Sequence, residues 1–181
     1  MPTIQKQTLS EYDRSQGQSG IYAPSGPGYT LGAVAHVANT ARISRFVPSR
    51  NMTVTSLTFN VTTAASVNDA CDVGIYDAVG ARLVSSGSTL GKLNAATNPS
   101  VTVAATQLRA GVVYYAALAC GAIGGTAAQS AGPSYYGYLA NQLFGATLGT
   151  MELAEMAAAF PLPATFTAAN SFTGFFLAVR E

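Results

Sequence analysis

The sequence has no tryptophan, one histidine, two cysteines and little charge of either sign. Charged side chains make up 9% of its 181 residues, against about 25% in an ordinary soluble domain. Each shortage excludes something. With His36, in "GAVAHVAN", as the sole histidine and no Gly-x-Ser-x-Gly elbow, a serine or cysteine hydrolase lacks its parts, and His36 is read as a capped or surface imidazole. Cys71 and Cys120 supply neither a disulfide framework nor a metal-type spacing, so they are read as two buried thiols in strands rather than a bridge or a ligand pair. The longest apolar run, Val112 to Cys120, falls far short of the roughly 18 residues of a helical membrane span. A net charge of +1 without a basic run leaves no footprint for nucleic acid or an anionic membrane surface. Neither nucleic-acid binding nor membrane insertion is expected.

The acids are equally thin. Asp69, Asp72 and Asp77 form the only local cluster, and Asp72 and Asp77 fall on opposite faces of a regular strand. A calcium loop of Asn68, Asp69 and Asp72 has the wrong spacing and too few oxygens. A glycosidase needs two facing carboxylates about 5 to 9 Å apart, whereas the acids here stand mostly alone. "GPGYTLG" follows no strand and opens no helix, so it is a hinge and not a phosphate loop. Asn51-Met-Thr and Asn60-Val-Thr fit the glycosylation pattern as coincidences of a Thr-rich chain with a polar N-terminus. The expectation is a protein with no catalytic residue, no cofactor and no metal site, made and kept in a cytoplasm until used.

What the chain does have is β patterning. Residues 1–28, rich in Gln, Ser, Gly and Pro, show no periodicity and are read as an extended N-terminal arm. Its apolar residues Ile4, Leu9, Tyr12, Ile21 and Tyr22 are too few and too irregular to bury a core, so they are candidate anchors that order only against a partner. Residues 29–181 form one domain. "RISRFV" alternates, "MTVTSLTFNVT" (Met52 to Thr62) alternates with β-branched enrichment, and "CDVGIYDAVGARLVSSGS" reads as a hairpin. In that hairpin Cys71, Val73 and Ile75 face the core, Gly80 completes the turn, and Asp72 and Tyr76 take the opposite face, where losing the Asp72 carboxylate should be nearly silent.

Further strands are predicted at Ser100 to Ala104, Val112 to Cys120, Tyr135 to Leu139 and Ser171 to Val179. "GTMELAEMAAAF" is the one helical stretch, near 150–159, stopped by Pro161 and Pro163. The fold class is all-β: an antiparallel two-sheet β-sandwich with one short helix.

Four segments carry a resemblance: "ARISRFVPSRNMTVTSLTFNVTTAA", "DVGIYDAVGARLVSSGS", "LRAGVVYYAALAC" and "LPATF" before the last strand. Their order and spacing resemble jelly-roll-like β-sandwich modules of bacteriophage tail fibres, head fibres and capsid decoration proteins. The resemblance implies a non-enzymatic virion structural protein, assembled in the host cytoplasm, partnered by other capsid or tail proteins and favouring a homotrimer. The span from Ala110 to Met151 contains five tyrosines and no charged residue. Two accounts stay open for it: core strand with Tyr hydroxyls reaching the surface, or a subunit contact. Tyr135, Tyr136 and Tyr138 are candidates for that contact or for a bacterial surface glycan, which makes a receptor-binding module the alternative function.

Overall fold

A computed structural model describes residues 21–22, 33–48, 50–59, 61–65, 70–121, 128–130, 153–157, 159–167, 169–170 and 177–180. Within them the chain is all-β and antiparallel, with no helix. In Met52–Phe59 and Ser100–Leu108 β-branched residues alternate with small polar ones, and the described residues form fourteen strands. These are β1 (Ile21–Tyr22), β2 (Ala33–Ala35), β3 (Ala41–Phe46), β4 (Met52–Phe59), β5 (Val61–Thr63), β6 (Ala70–Asp77) and β7 (Arg82–Ser85), then β8 (Thr89–Leu90), β9 (Ser100–Leu108), β10 (Tyr114–Cys120), β11 (Ala128–Ser130), β12 (Leu153–Met156), β13 (Ala169–Asn170) and β14 (Leu177–Arg180).

They pair into three sheets. The first runs β1-β14-β4-β9, the second β13-β12-β3-β10-β6-β7 with β8 also on β6, and the third β2-β11-β5. The long strand expected from Met52 to Thr62 thus serves two sheets, β4 in the first and β5 in the third. The first two sheets share a core: Val54, Leu57 and Phe59 of β4 and Val101, Val103 and Leu108 of β9 cluster with Cys71, Val73 and Ile75 of β6 and Ala116, Leu118 and Cys120 of β10. The predicted inward face of the β6 hairpin is therefore correct. Its turn is held by the Asp77 carboxylate, whose Oδ1 accepts the N–H groups of Val79 (3.0 Å) and Ala81 (2.9 Å). Gly80 closes it at φ 85°, a left-handed conformation that a side chain disfavours.

Two expectations are corrected. Leu153–Met156 is not helical but the strand β12, paired through Leu153↔Ser44 to Met156↔Ala41 with the edge of β3. Helix preference there amounts to a few tenths of a kcal/mol per residue, and an open ladder edge together with burial of Met156 outweighs it. The second correction concerns the far face of β6. Asp72 and Tyr76 do lie there, but both are fully buried, because a second apolar cluster covers that face.

Candidate functional site

The second cluster arises from the register of the central sheet. Across β6, β10 and β3, Asp72 stands beside Ala119 and then Ala41, Gly74 beside Ala117 and Ile43, and Tyr76 beside Tyr115 and Arg45. Gly74, Ala41, Ala117 and Ala119 in the first two rows leave a trough beside Ile43, and the tyrosine row walls one end. Chain after β12 lies in this trough as a strap, with Ala159, Leu162 and Phe166 buried against Ile43, Tyr76, Tyr115 and Ala117. Leu162 sits over Gly74, where an added Cβ would come within 2.9 Å of its Cδ1 and 2.6 Å of the Val84 carbonyl oxygen. The Phe166 ring meets Tyr76 and Tyr115 edge-on at centroid distances of 5.1 and 5.3 Å, a favourable arrangement of ring quadrupoles.

Polar groups fix the strap in place. The Asp72 carboxylate accepts the Leu162 N–H at 2.9 Å, the Ser85 hydroxyl at 2.8 Å and the Ser86 hydroxyl at 3.1 Å. Ser86 Oγ in turn accepts the Val73 N–H at 3.0 Å. The Tyr76 hydroxyl donates to the Pro163 carbonyl at 2.8 Å, and the Arg82 guanidinium donates to the Leu162 carbonyl. Backbone bonds from Arg82 N to Ala164 O (2.8 Å), Phe166 N to Gly80 O (3.0 Å) and Ala159 N to Asn39 O (2.8 Å) complete the fastening. Burial pushes the Tyr76 phenol above its ordinary range, with Arg82 opposing and Asp72 adding to the effect. A carboxylate saturated in this way is a structural acceptor, and a phenol that resists ionisation stays a neutral hydrogen-bond donor.

At the ends of β4 and β9 lies a groove of about 550 Å³ lined by Asn51, Met52, Thr53, Gln107, Leu108 and Arg109. Asn51 Oδ1 accepts the Ala110 N–H at 2.9 Å, and the Tyr114 hydroxyl oxygen accepts the Arg109 N–H at 3.0 Å. These bonds tie the 109–113 loop to the end of the strand pair, with Gly111 donating to the Pro48 carbonyl at 2.9 Å.

Of the residues singled out from sequence, Ile21 and Tyr22 form β1 and pair with Ala178 and Leu177 at a sheet edge. Ile4, Leu9, Tyr12, Tyr135, Tyr136 and Tyr138 lie outside the described residues, as do Asn68, Asp69 and the strand expected at Tyr135 to Leu139. Asp77 is committed to its turn and Asp72 to the strap. Cys71 and Cys120 are thiols, both fully buried, and they are register partners on neighbouring strands. For the uncharged stretch Tyr114–Cys120, burial on both faces of the central sheet accounts for the neutrality.

The strap was missed from sequence, although it had a signal. A strand buried on both faces reads as an unbroken apolar run, as "VVYYAALAC" does, and such a run calls for a second cover, from the chain itself or from a partner. No protein-family model matches this chain, and no curated protein matches it.

Proposed function

We propose that this chain is a non-enzymatic structural protein of a bacteriophage particle. In this reading it is a jelly-roll-like β-sandwich, its first two sheets facing each other across the shared core, that decorates the capsid or builds a fibre, collar or tail appendage, anchored by the arm ahead of the first sheet. The observation that carries the reading is the commitment of polar groups on the covered face. Asp72, Tyr76, Arg82, Ser85 and Ser86 all hold one segment of the chain to another. Groups so engaged add rigidity rather than turnover, which is what a particle component requires. The order of the four resembling segments supports the same reading, and so does β1. Its pairing with β14 gives the preceding arm a fixed root at a sheet edge, from which an extended stretch of about 20 residues reaches roughly 65 Å, enough to cross a subunit boundary. Homotrimeric packing through the uncharged stretch beyond Cys120 belongs to this proposal.

The test is an assembly experiment. Because Ile21 and Tyr22 are part of a sheet, the truncation removes residues 1–20 and spares them. The expected result is an unchanged thermal transition and loss of the truncated protein from purified particles. Incorporation at the normal level would remove the arm as anchor, and absence of the full-length protein from particles would sink the virion reading altogether. Density for the subunit at a fibre tip, with Tyr135, Tyr136 and Tyr138 outward, would favour the glycan-binding alternative.

A further inference from the structure

Cys71 and Cys120 are far apart in sequence and directly opposed in the β6–β10 ladder. The phase of that ladder decides how close they come. Val73 exchanges its backbone bonds with Ser86 on the β7 side, its carbonyl accepting the Ser86 N–H at 2.8 Å and its N–H reaching Ser86 Oγ at 3.0 Å. Odd-numbered residues of β6 thus direct their backbone away from β10. Toward β10, the Gly121 N–H donates to the Ala70 carbonyl at 2.9 Å. Cys71↔Cys120 is therefore a non-hydrogen-bonded pair, the closer of the two antiparallel kinds, with Cα atoms about 4.5 Å apart and both side chains on one face. A disulfide asks for Cα separations of roughly 4.4 to 6.8 Å. Both thiols belong to the same apolar cluster.

We propose that this pair is a cross-strand disulfide site, reduced in the thiol-rich compartment where the chain is made and closed when it meets a disulfide oxidant such as oxidised glutathione. The inference stands independently of the virion reading. One cysteine thiolate attacks the glutathione disulfide and expels one glutathione thiolate. The other cysteine then attacks the mixed disulfide and expels the second. The protein loses two protons and two electrons, and the oxidant becomes two glutathione thiols. Entry is through the strand ends: Cys120 is the last residue of β10 and Cys71 the second of β6, where ladders fray first. In the closed ladder the apolar surroundings, aided by the Asp72 carboxylate, keep the Cys71 thiol protonated and slow to react.

The experiment equilibrates the full chain with mixtures of reduced and oxidised glutathione, once in native buffer and once in denaturant. Each sample is then quenched, unfolded and alkylated. In native buffer the expected product is a monomer lighter by two hydrogens that takes no alkyl label. Its non-reduced tryptic digest should join peptide 51–82 to peptide 110–180. The oxidised-to-reduced ratio should be at least about tenfold higher in native buffer than in denaturant, because a loop of this length is worth on the order of a thousandfold when the bridge is unstrained. Cys120→Ser should show neither the loss of two hydrogens nor the joined tryptic peptides. Two alkylated thiols, separate glutathione caps on the unsubstituted chain, or a ratio no higher in native buffer than in denaturant would each overturn the site.

Discussion

Asp72 accepts a hydrogen bond from the backbone N–H of Leu162 at 2.9 Å, joining the first half of β6 to a strap 90 positions later in the chain. The same carboxylate holds Ser85 and Ser86 of the neighbouring strand and its exit. One side chain thus fastens the cover to the sheet.

The first prediction follows from that bond. Replacing Asp72 with Ala strands the Leu162 N–H and the Ser85 hydroxyl, while Ser86 Oγ can still donate to the Gly87 carbonyl, and each orphaned donor costs about 1 to 3 kcal/mol. Asp72→Ala should lower the free energy of unfolding by about 3 kcal/mol in urea titrations, and Asp72→Asn by less, since the amide oxygen still accepts. A loss under about 0.5 kcal/mol, the size of an ordinary surface change, would remove the carboxylate from its clamping role.

Leu162 over Gly74 gives the second. Leu162→Ala opens a cavity between strap and sheet and should cost about 2 to 5 kcal/mol. Gly74→Ala pushes a methyl into the Val84 carbonyl and the Leu162 side chain, and should cost about 1 to 3 kcal/mol. Since only the Leu162 contact is relieved by shortening Leu162, the double variant should be less destabilised than the two losses summed. Strict additivity in the same urea titration would mean that the two residues do not touch.

A third prediction separates the faces of the hairpin. Ile75, with no exposure, should lose about 2 to 5 kcal/mol on truncation to Ala. Leu83, 43% exposed on β7, should lose under about 0.5 kcal/mol. Comparable losses from the two would mean that β7 is covered in solution.

The fourth concerns alkaline pH under reducing conditions. Burial and the neighbouring Asp72 carboxylate raise the Cys71 thiol from 9.0 to about 12, and burial raises the Tyr76 phenol above its ordinary 10.0. Both groups are held neutral in the folded chain and ionise more readily in the unfolded one. The stability they contribute is complete below about pH 9 and is lost as pH climbs toward 12, by about 1.4 kcal/mol per pH unit for each group in its window. Cys71→Ser should make the fall between about pH 9 and 10 shallower, since it removes one of the two thiols that titrate there in the unfolded chain. An unchanged slope in that variant would refute the assignment.

Local pattern carried much of the fold. Alternation identified β3, β6 and β7 nearly to the residue and the start of β4, though it joined β4 and β5 into one strand, and the Asp77–Gly80 pair announced its turn. The helix expected near 150–159 failed at Leu153–Met156, because Ala, Glu, Leu and Met favour a helix only weakly and an unpaired edge of β3 is available. Asp72 failed differently. Its position on the far face of β6 was legible, but nothing local to it says whether that face meets water or protein.

The amino-acid sequence by itself determined the all-β character, the inward face of the central hairpin and the lack of charge along β10, because period, turn chemistry and composition act over a few neighbouring residues. The tertiary structure alone decided that the central sheet is covered on both sides, that Asp72 is a buried clamp and that Cys71 meets Cys120. Those outcomes depend on which distant segments come to lie on which face and in which register. Pairing across tens of residues is fixed by the whole set of contacts together, and a single strand's pattern holds no record of its partner.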